Sequence, residues 1–241
     1  MFQIKQDYYQ ESTTPLHRLG QLSTDGAGNR YRYVKNGGSV LVTGNLLQEP
    51  AEDTQFVAMA VNATSAIGAK TISVTNGTTT VTANMFDDGI LTIASGTGTG
   101  QSFRILSHTT GVSGATIVYT VDRGVKIALT VAGSSTVSVR KNPYNGVIQY
   151  PVTTQTGGAV GVALYAMTAS YYGWVQSGGD CPCLFDTGTN SSNGVSGVGP
   201  SSAVAGSVKP QTGSEGGIII GFSRQIASVD STHNIVHLNI D

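Results

Sequence analysis

The sequence predicts an all-β protein: two small antiparallel β barrels or sandwiches after an extended N-terminal arm and a hairpin. Three observations predict it. Short β-branched runs with period-two alternation recur along most of the chain. Gly, Asn and Asp turn signals separate them at spacings of roughly 8–15 residues. No apolar stripe has the period and length of an amphipathic helix of ~10 residues.

The first segment, 1–53, reads as arm and hairpin. Gln3 to Gln10 carries no helical stripe and reads as extended. Arg30-Tyr-Arg-Tyr-Val34 alternates polar and aromatic residues, Asn36-Gly37-Gly38 supplies a turn, and Ser39-Val-Leu-Val-Thr43 reads as the returning strand. Gln48-Glu-Pro-Ala-Glu-Asp53 reads as a linker. The second segment, 54–141, is a β domain. Its strands are Phe56–Val61, Thr71–Thr75, Thr79–Thr82, Gly89–Ile93, Ser102–Leu106, Thr116–Val121 and Thr136–Arg140. Asn76-Gly77, Asp87-Asp88-Gly89, Gly96–Gly100 and Gly111–Gly114 turn the chain between them. Asn142-Pro-Tyr-Asn-Gly146 opens the third segment, 142–241, a charge-poor β domain. Its strands are Val147–Tyr150, Ala159–Tyr165, Tyr171–Gln176, Cys183–Phe185, Ala203–Ala205, Gly217–Ile220 and Ile235–Ile240. Thr187 to Gly199 reads as a Gly/Ser/Asn loop.

Composition narrows the function classes. Charged residues make up 11% of the 241, against ~25% in an ordinary soluble domain. A net charge of −1 argues against a nucleic-acid partner, which calls for a basic stripe. No run approaches the ~18 apolar residues of a membrane helix, so no membrane partner is expected. The charge deficit is local: 151–223 carries only Asp180, Asp186, Lys209 and Glu215. Free domain surfaces are usually about a quarter to a third charged, so this region is expected to be covered in an assembly.

No catalytic, cofactor-binding or metal-binding residue is expected, and the chain is read as a non-enzyme. Gly96-Thr-Gly-Thr-Gly100 lies between two strands, whereas a phosphate loop must open a helix. His233 and His237 are four apart on a strand-like segment, a separation of ~13 Å, too long for one ion. Cys181-Pro-Cys183 is one residue short of the usual redox or zinc spacing, and no second pair completes it. Asp87-Asp88-Gly89 lacks the alternating carboxylates of a calcium loop.

Tyr171-Tyr-Gly-Trp-Val-Gln176 holds the single Trp of the chain. On a strand, Tyr171, Gly173 and Val175 face one way and Tyr172, Trp174 and Gln176 the other. The cluster is either core packing or a subunit contact, where Tyr and Trp are enriched. The charge-poor surroundings favour the second reading, with Tyr171, Tyr172, Trp174 and Gln176 as interface candidates.

Several stretches, in order along nearly the whole chain, resemble tailed-bacteriophage virion proteins. They are Arg30–Ser39 with Gly44-Asn-Leu-Leu-Gln48, Thr82–Gly89 with Gly96–Ile105, Asn142-Pro-Tyr144, Val160-Gly-Val162, Tyr171–Gln176 and Val236–Asp241. The resemblance implies a capsid decoration (cement) protein: a homotrimer on the outer surface of the head that clamps neighbouring copies of the major capsid protein. It implies a terminal arm laced onto the capsid, with Phe2, Ile4, Tyr8, Tyr9, Arg30 and Arg32 as contact candidates. It implies no catalytic residue and no cofactor. The alternative is a tail or head-fibre component that binds host glycans.

Overall fold

The computed structural model describes residues 6–186, 196–211, 217–224 and 231–241. Strands dominate, as the alternation requires. The first three are β1 (Leu22–Thr24), β2 (Arg30–Asn36) and β3 (Leu46–Gln48). Six follow: β4 (Met59–Ala60), β5 (Thr71–Thr75), β6 (Ile90–Ser95), β7 (Ser102–His108), β8 (Thr116–Val121) and β9 (Thr136–Arg140). The rest are β10 (Asn145–Gln149), β11 (Ala159–Ala163), β12 (Tyr172–Leu184), β13 (Gly197–Pro200), β14 (Val208–Pro210), β15 (Gly221–Ser223) and β16 (His233–Asn239). A turn of 3-10 helix at Thr54–Phe56 is the one helical element among the described residues.

The chain divides into two compact units: Met1–Ala51 with Pro143–Asp241, and Glu52–Asn142. The first and third sequence segments, 1–53 and 142–241, are therefore one unit and not two. Their strands interleave: β2 pairs with β10 and with β12, and β3 pairs with β10 and β11. The second unit is an insertion between β3 and β10.

In the first unit, β2, β10, β3, β11 and β12 follow one another around a closed five-stranded barrel, because β12 pairs back onto β2. The β2–β10 pair is parallel and the other four are antiparallel. The hairpin expected between Arg30–Val34 and Ser39–Thr43 does not form. The Asn36 amide donates to the carbonyls of Ser39, Met167 and Thr168. This steers the chain after β2 toward Met167, which Leu41 meets as an isolated bridge. The hairpin that does form is β1–β2. Its loop is closed by the Asp25 carboxylate, which accepts from the Ala27 and Asn29 amides at 2.9 Å.

Strand β12 is 13 residues long. Its first half pairs with β2, and from Gly178 onward it pairs with β16. A bulge between Gln176 and Gly178 re-aims it. Gly179 has φ +83°, and a Cβ there would run into the Asn29 side chain. Beyond β16 the sheet continues through β15, β13 and β14. It returns to the end of β12 by a bridge between Phe185 and Val208.

Adjacent residues on the barrel strands enter different cores. Val34, Leu47, Ala163 and Val175 fill the barrel interior with Val147 and Val160. Tyr33, Leu46, Val162 and Trp174 pack outward against Cys181, Val198, Val236 and Leu238. Strands buried on both faces have no place for charge. The charge poverty of this region therefore has a source inside a single chain, where the sequence reading placed it between subunits.

The second unit is a six-stranded antiparallel sheet in the order β4-β9-β6-β7-β8-β5. A bridge from Val61 to Val74 brings β5 back to β4 and closes a barrel. Its strands alternate in and out, with Leu91, Ile93, Phe103, Ile105, Tyr119 and Val137 inside. The pairings Met59–Val137, Ile90–Arg140 and Thr71–Thr120 fix the strand directions. They place loops 62–70, 96–101 and 122–135 at one pole. The chain enters and leaves at the other.

Candidate functional site

The Tyr171–Gln176 cluster sits in the first half of β12, in register with β2: Trp174 opposes Tyr33, and Gln176 opposes Tyr31. The Trp174 ring meets Tyr33 and His17 at 5.1 Å and Tyr8 at 5.7 Å. Trp174 is fully buried, and its indole N–H has no acceptor among the described residues. Gln176 is also buried; its amide donates to the carbonyls of Gly178 and Asp180 across the bulge. Neither residue can be a subunit contact, because both are spent on the chain's own fold. Tyr171 and Tyr172 are half-buried and do reach the surface. The Tyr172 ring stacks 6.4 Å from Tyr33, with the Lys35 ammonium 5.7 Å over it.

The segment after residue 5 is docked on its own chain. The Gln6 amide donates to the carbonyls of Gln10 and Tyr172, and its oxygen accepts from the Tyr33 hydroxyl at 2.8 Å. Ser12 and Tyr172 exchange two backbone hydrogen bonds. Tyr165 donates to the Gln10 carbonyl, and the Glu11 carboxylate accepts from the Thr168 amide and hydroxyl. Tyr8 stacks on Tyr31 at 3.9 Å. Of the arm candidates described, Tyr9 alone points freely to solvent. Phe2 and Ile4 lie outside the described residues, as does most of the loop read at 187–199.

Arg30 and Arg32 are engaged within the chain. The Arg30 guanidinium donates to Asn239. Arg32 grips the Asp241 carboxylate with two bonds, 2.8 and 3.1 Å, and donates to the Gly20 carbonyl. It lies 5.8 Å from the centre of the Tyr144 ring. Burial pushes the Asp241 pKa up, but the bonds from Arg32 and Ser177 outweigh it and hold the carboxyl below its ordinary range.

A polar row that sequence reasoning missed crosses the outer face of the sheet at the second half of β12. The register aligns Asp180 with His237 and His237 with Phe222. His237 Nδ1 donates to the Asp180 carboxylate at 2.7 Å, and Arg224 Nε donates to the same oxygen at 2.9 Å. The His237 bond, then the Arg224 charge, outweighs desolvation and keeps Asp180 below the ordinary carboxylate range. Phe222 stacks on the His237 ring with centroids 4.9 Å apart. Phe222, Asp180 and Arg224 all remain substantially exposed. Strand alternation around Cys181-Pro-Cys183 could have put Asp180 on the outer face, but nothing local to the sequence names its partners.

The other chemistry-bearing residues are structural. Cys181 and Cys183 are free, buried thiols on the inner face of β12, with Pro182 exposed between them. The hydrogen bond from Cys183 to Cys181, together with burial, pushes the Cys183 thiol well up. His108 Nε2 accepts from the Phe86 amide, so its other nitrogen carries the proton that binds the Thr109 carbonyl. The turn read at Gly96–Gly100 joins β6 to β7. Among the described residues no three His, Cys, Asp or Glu side chains gather as a metal site.

No protein-family model matches the chain, and no curated protein or solved structure matches it. The fold is all-β in two units, each built on a closed barrel.

Proposed function

We propose that the chain is a non-enzymatic decoration protein on the outer surface of a tailed-phage head, assembled as a homotrimer and clamping copies of the major capsid protein. The observation that carries this reading is the insertion. A barrel entered and left at one pole is tied to the rest of its chain by two covalent connections and carries loops 62–70, 96–101 and 122–135 at its other pole. This is the build of a presenting module. The ordered resemblance to virion proteins supports the same reading. Surfaces of modest size suffice when binding is repeated over a lattice. Native mass spectrometry tests the assembly: the expected mass is three times the 24.8 kDa chain, and a monomer at micromolar concentration rejects the trimer. Cryo-EM of particles tests the placement, with density on the head expected and density on the tail contradicting it.

The exposed Asp180–His237–Phe222–Arg224 row favours a second reading, a fibre component that binds host glycans. An exposed ring beside paired polar side chains suits a sugar face and its hydroxyls. Glycan-array binding that Phe222→Ala removes would support this reading over the first.

A further inference from the structure

We propose that the pole of the inserted barrel opposite its chain ends is a docking tip for an anionic lipid bilayer. Ile67 is the most exposed of the chain's large hydrophobic side chains among the described residues, at 72%. Ile127 and Val131 follow at the same pole at 53% each. These side chains are not on fraying loops. Ser65 and Leu129 exchange two backbone hydrogen bonds, and two more tie Gly68 and Ala69 to Val125. Ile67 and Ile127 each lie two positions inside the Ser65–Leu129 bridge, which makes them cross-strand neighbours. The Gln101 side chain donates to the carbonyls of Gly98 and Ile127 and accepts from the amides of Lys126 and Ile127. The fold thus holds three aliphatic side chains out in water on a pinned scaffold. Exposed apolar groups so placed mark an interaction site.

Charge identifies the occupant. Lys70, Arg123 and Lys126 lie on the loops of this pole beside the aliphatic residues in sequence, with Asp122 the one acid there. The barrel's other acids, Glu52, Asp53, Asp87 and Asp88, lie on segments toward the opposite pole. Arg123 is folded back onto the Ser102 carbonyl and the Phe103 ring, while Lys70 and Lys126 are exposed. Exposed cations on the same loops as exposed aliphatic side chains complement anionic headgroups over acyl chains. Residue type separates this from a protein partner. A standard protein interface takes about 800 Å² from each side and is anchored by Tyr, Trp or Arg. Three exposed aliphatic side chains offer neither, whereas a fluid interface conforms to them. No helix among the described residues is long and apolar enough to cross a membrane, and a peripheral seat requires none. The proposal departs from the expectation of no membrane partner, which rested on spanning segments alone.

The test is co-sedimentation of the full chain with vesicles of equimolar phosphatidylcholine and phosphatidylglycerol, beside vesicles of phosphatidylcholine alone. Binding is expected to be at least about tenfold stronger on the anionic vesicles and to weaken with salt, since each lysine near such a surface contributes about fivefold. Ile67→Ser/Ile127→Ser/Val131→Ser should lower it at least about tenfold with an unchanged melting temperature. Lys70→Glu/Lys126→Glu should abolish the preference for anionic lipid. Equal binding to both vesicles, no binding, or wild-type binding by the triple serine variant overturns the proposal. So does retention on immobilised polyglutamate without vesicle binding, which points to an acidic protein instead.

Discussion

Arg32 and Asp241 stand 209 positions apart and share a two-bond ion pair on the first unit. The pair ties β2 to the residues that follow β16. Each partner is about one-fifth to one-quarter exposed, so the link is screened only in part. The Asp241 carboxyl is more acidic folded than unfolded. Its contribution is therefore present above the ordinary carboxylate value of 3.8 and lost as pH falls through the lowered folded value. Asp241→Asn is expected to cost about 1 kcal/mol at neutral pH and to flatten the loss of stability below about pH 4. Urea unfolding at several pH values checks this, and parallel slopes for variant and wild type would refute it.

Gln6 and Tyr33 form a buried link between the docked N-terminal segment and β2. Gln6→Ala removes the acceptor of the Tyr33 hydroxyl and one donor to the Tyr172 carbonyl. The expected cost is about 1–3 kcal/mol, with Tyr33→Phe in the Gln6→Ala background costing less than it does alone. Additive effects in a double-mutant cycle would show that the segment is not coupled to the sheet. Deletion of residues 1–10 strips Tyr8 from Trp174 and Tyr31 and is expected to lower stability.

Gly179 allows β12 to pass from one partner strand to the next. Ala at this position meets both a positive φ and the Asn29 side chain. Gly179→Ala should destabilise by more than about 1 kcal/mol, while Gly26→Ala, with open space around it, should be near neutral. Matching denaturation midpoints for the two variants would contradict this account of Gly179.

The insertion makes a surgical prediction. Gln48 pairs with Ile148, and a Cβ on Gly146 would lie 3.9 Å from Pro50. The ends of the first unit's two pieces are thus neighbours. Replacing Glu52–Asn142 by a short Gly/Ser linker should leave the first unit folded, with Trp174 still shielded from iodide quenching. Loss of that shielding would mean the barrel is required for the first unit to fold.

Legibility in the sequence follows water. The inserted barrel has one wet face, so its strands alternate and stand out; β5 and β9 occupy the stretches read from the pattern, Thr71–Thr75 and Thr136–Arg140. Thr79–Thr82 had the same texture but makes only a bridge from Val81 to Gly111. In the first unit the wet face is missing on several strands and the alternation goes with it. The pattern reads Tyr171–Gln176 and Cys183–Phe185 as separate strands, yet β12 runs through Gly178, Gly179 and Pro182 between them. Pro182 faces solvent and pairs with Ile235 without interrupting the ladder. The tertiary links were illegible for a different reason. Asp180 finds Arg224 and His237 at separations of 44 and 57 positions, and Arg32 finds Asp241 across most of the chain. No local pattern encodes such pairings.

The same insertion sets an order of events during folding. Within the barrel, β6 meets β7 and β7 meets β8, neighbours along the chain. The first unit must bring β2 to β12 across the whole inserted segment. Local pairings form faster than distant ones, and a folded barrel whose two ends emerge at one pole shortens the effective loop between β3 and β10. The guest therefore assembles first and lowers the entropic barrier to closing its host. Pulse-labelled hydrogen exchange should protect β6–β8 before β12; simultaneous protection would reverse that order.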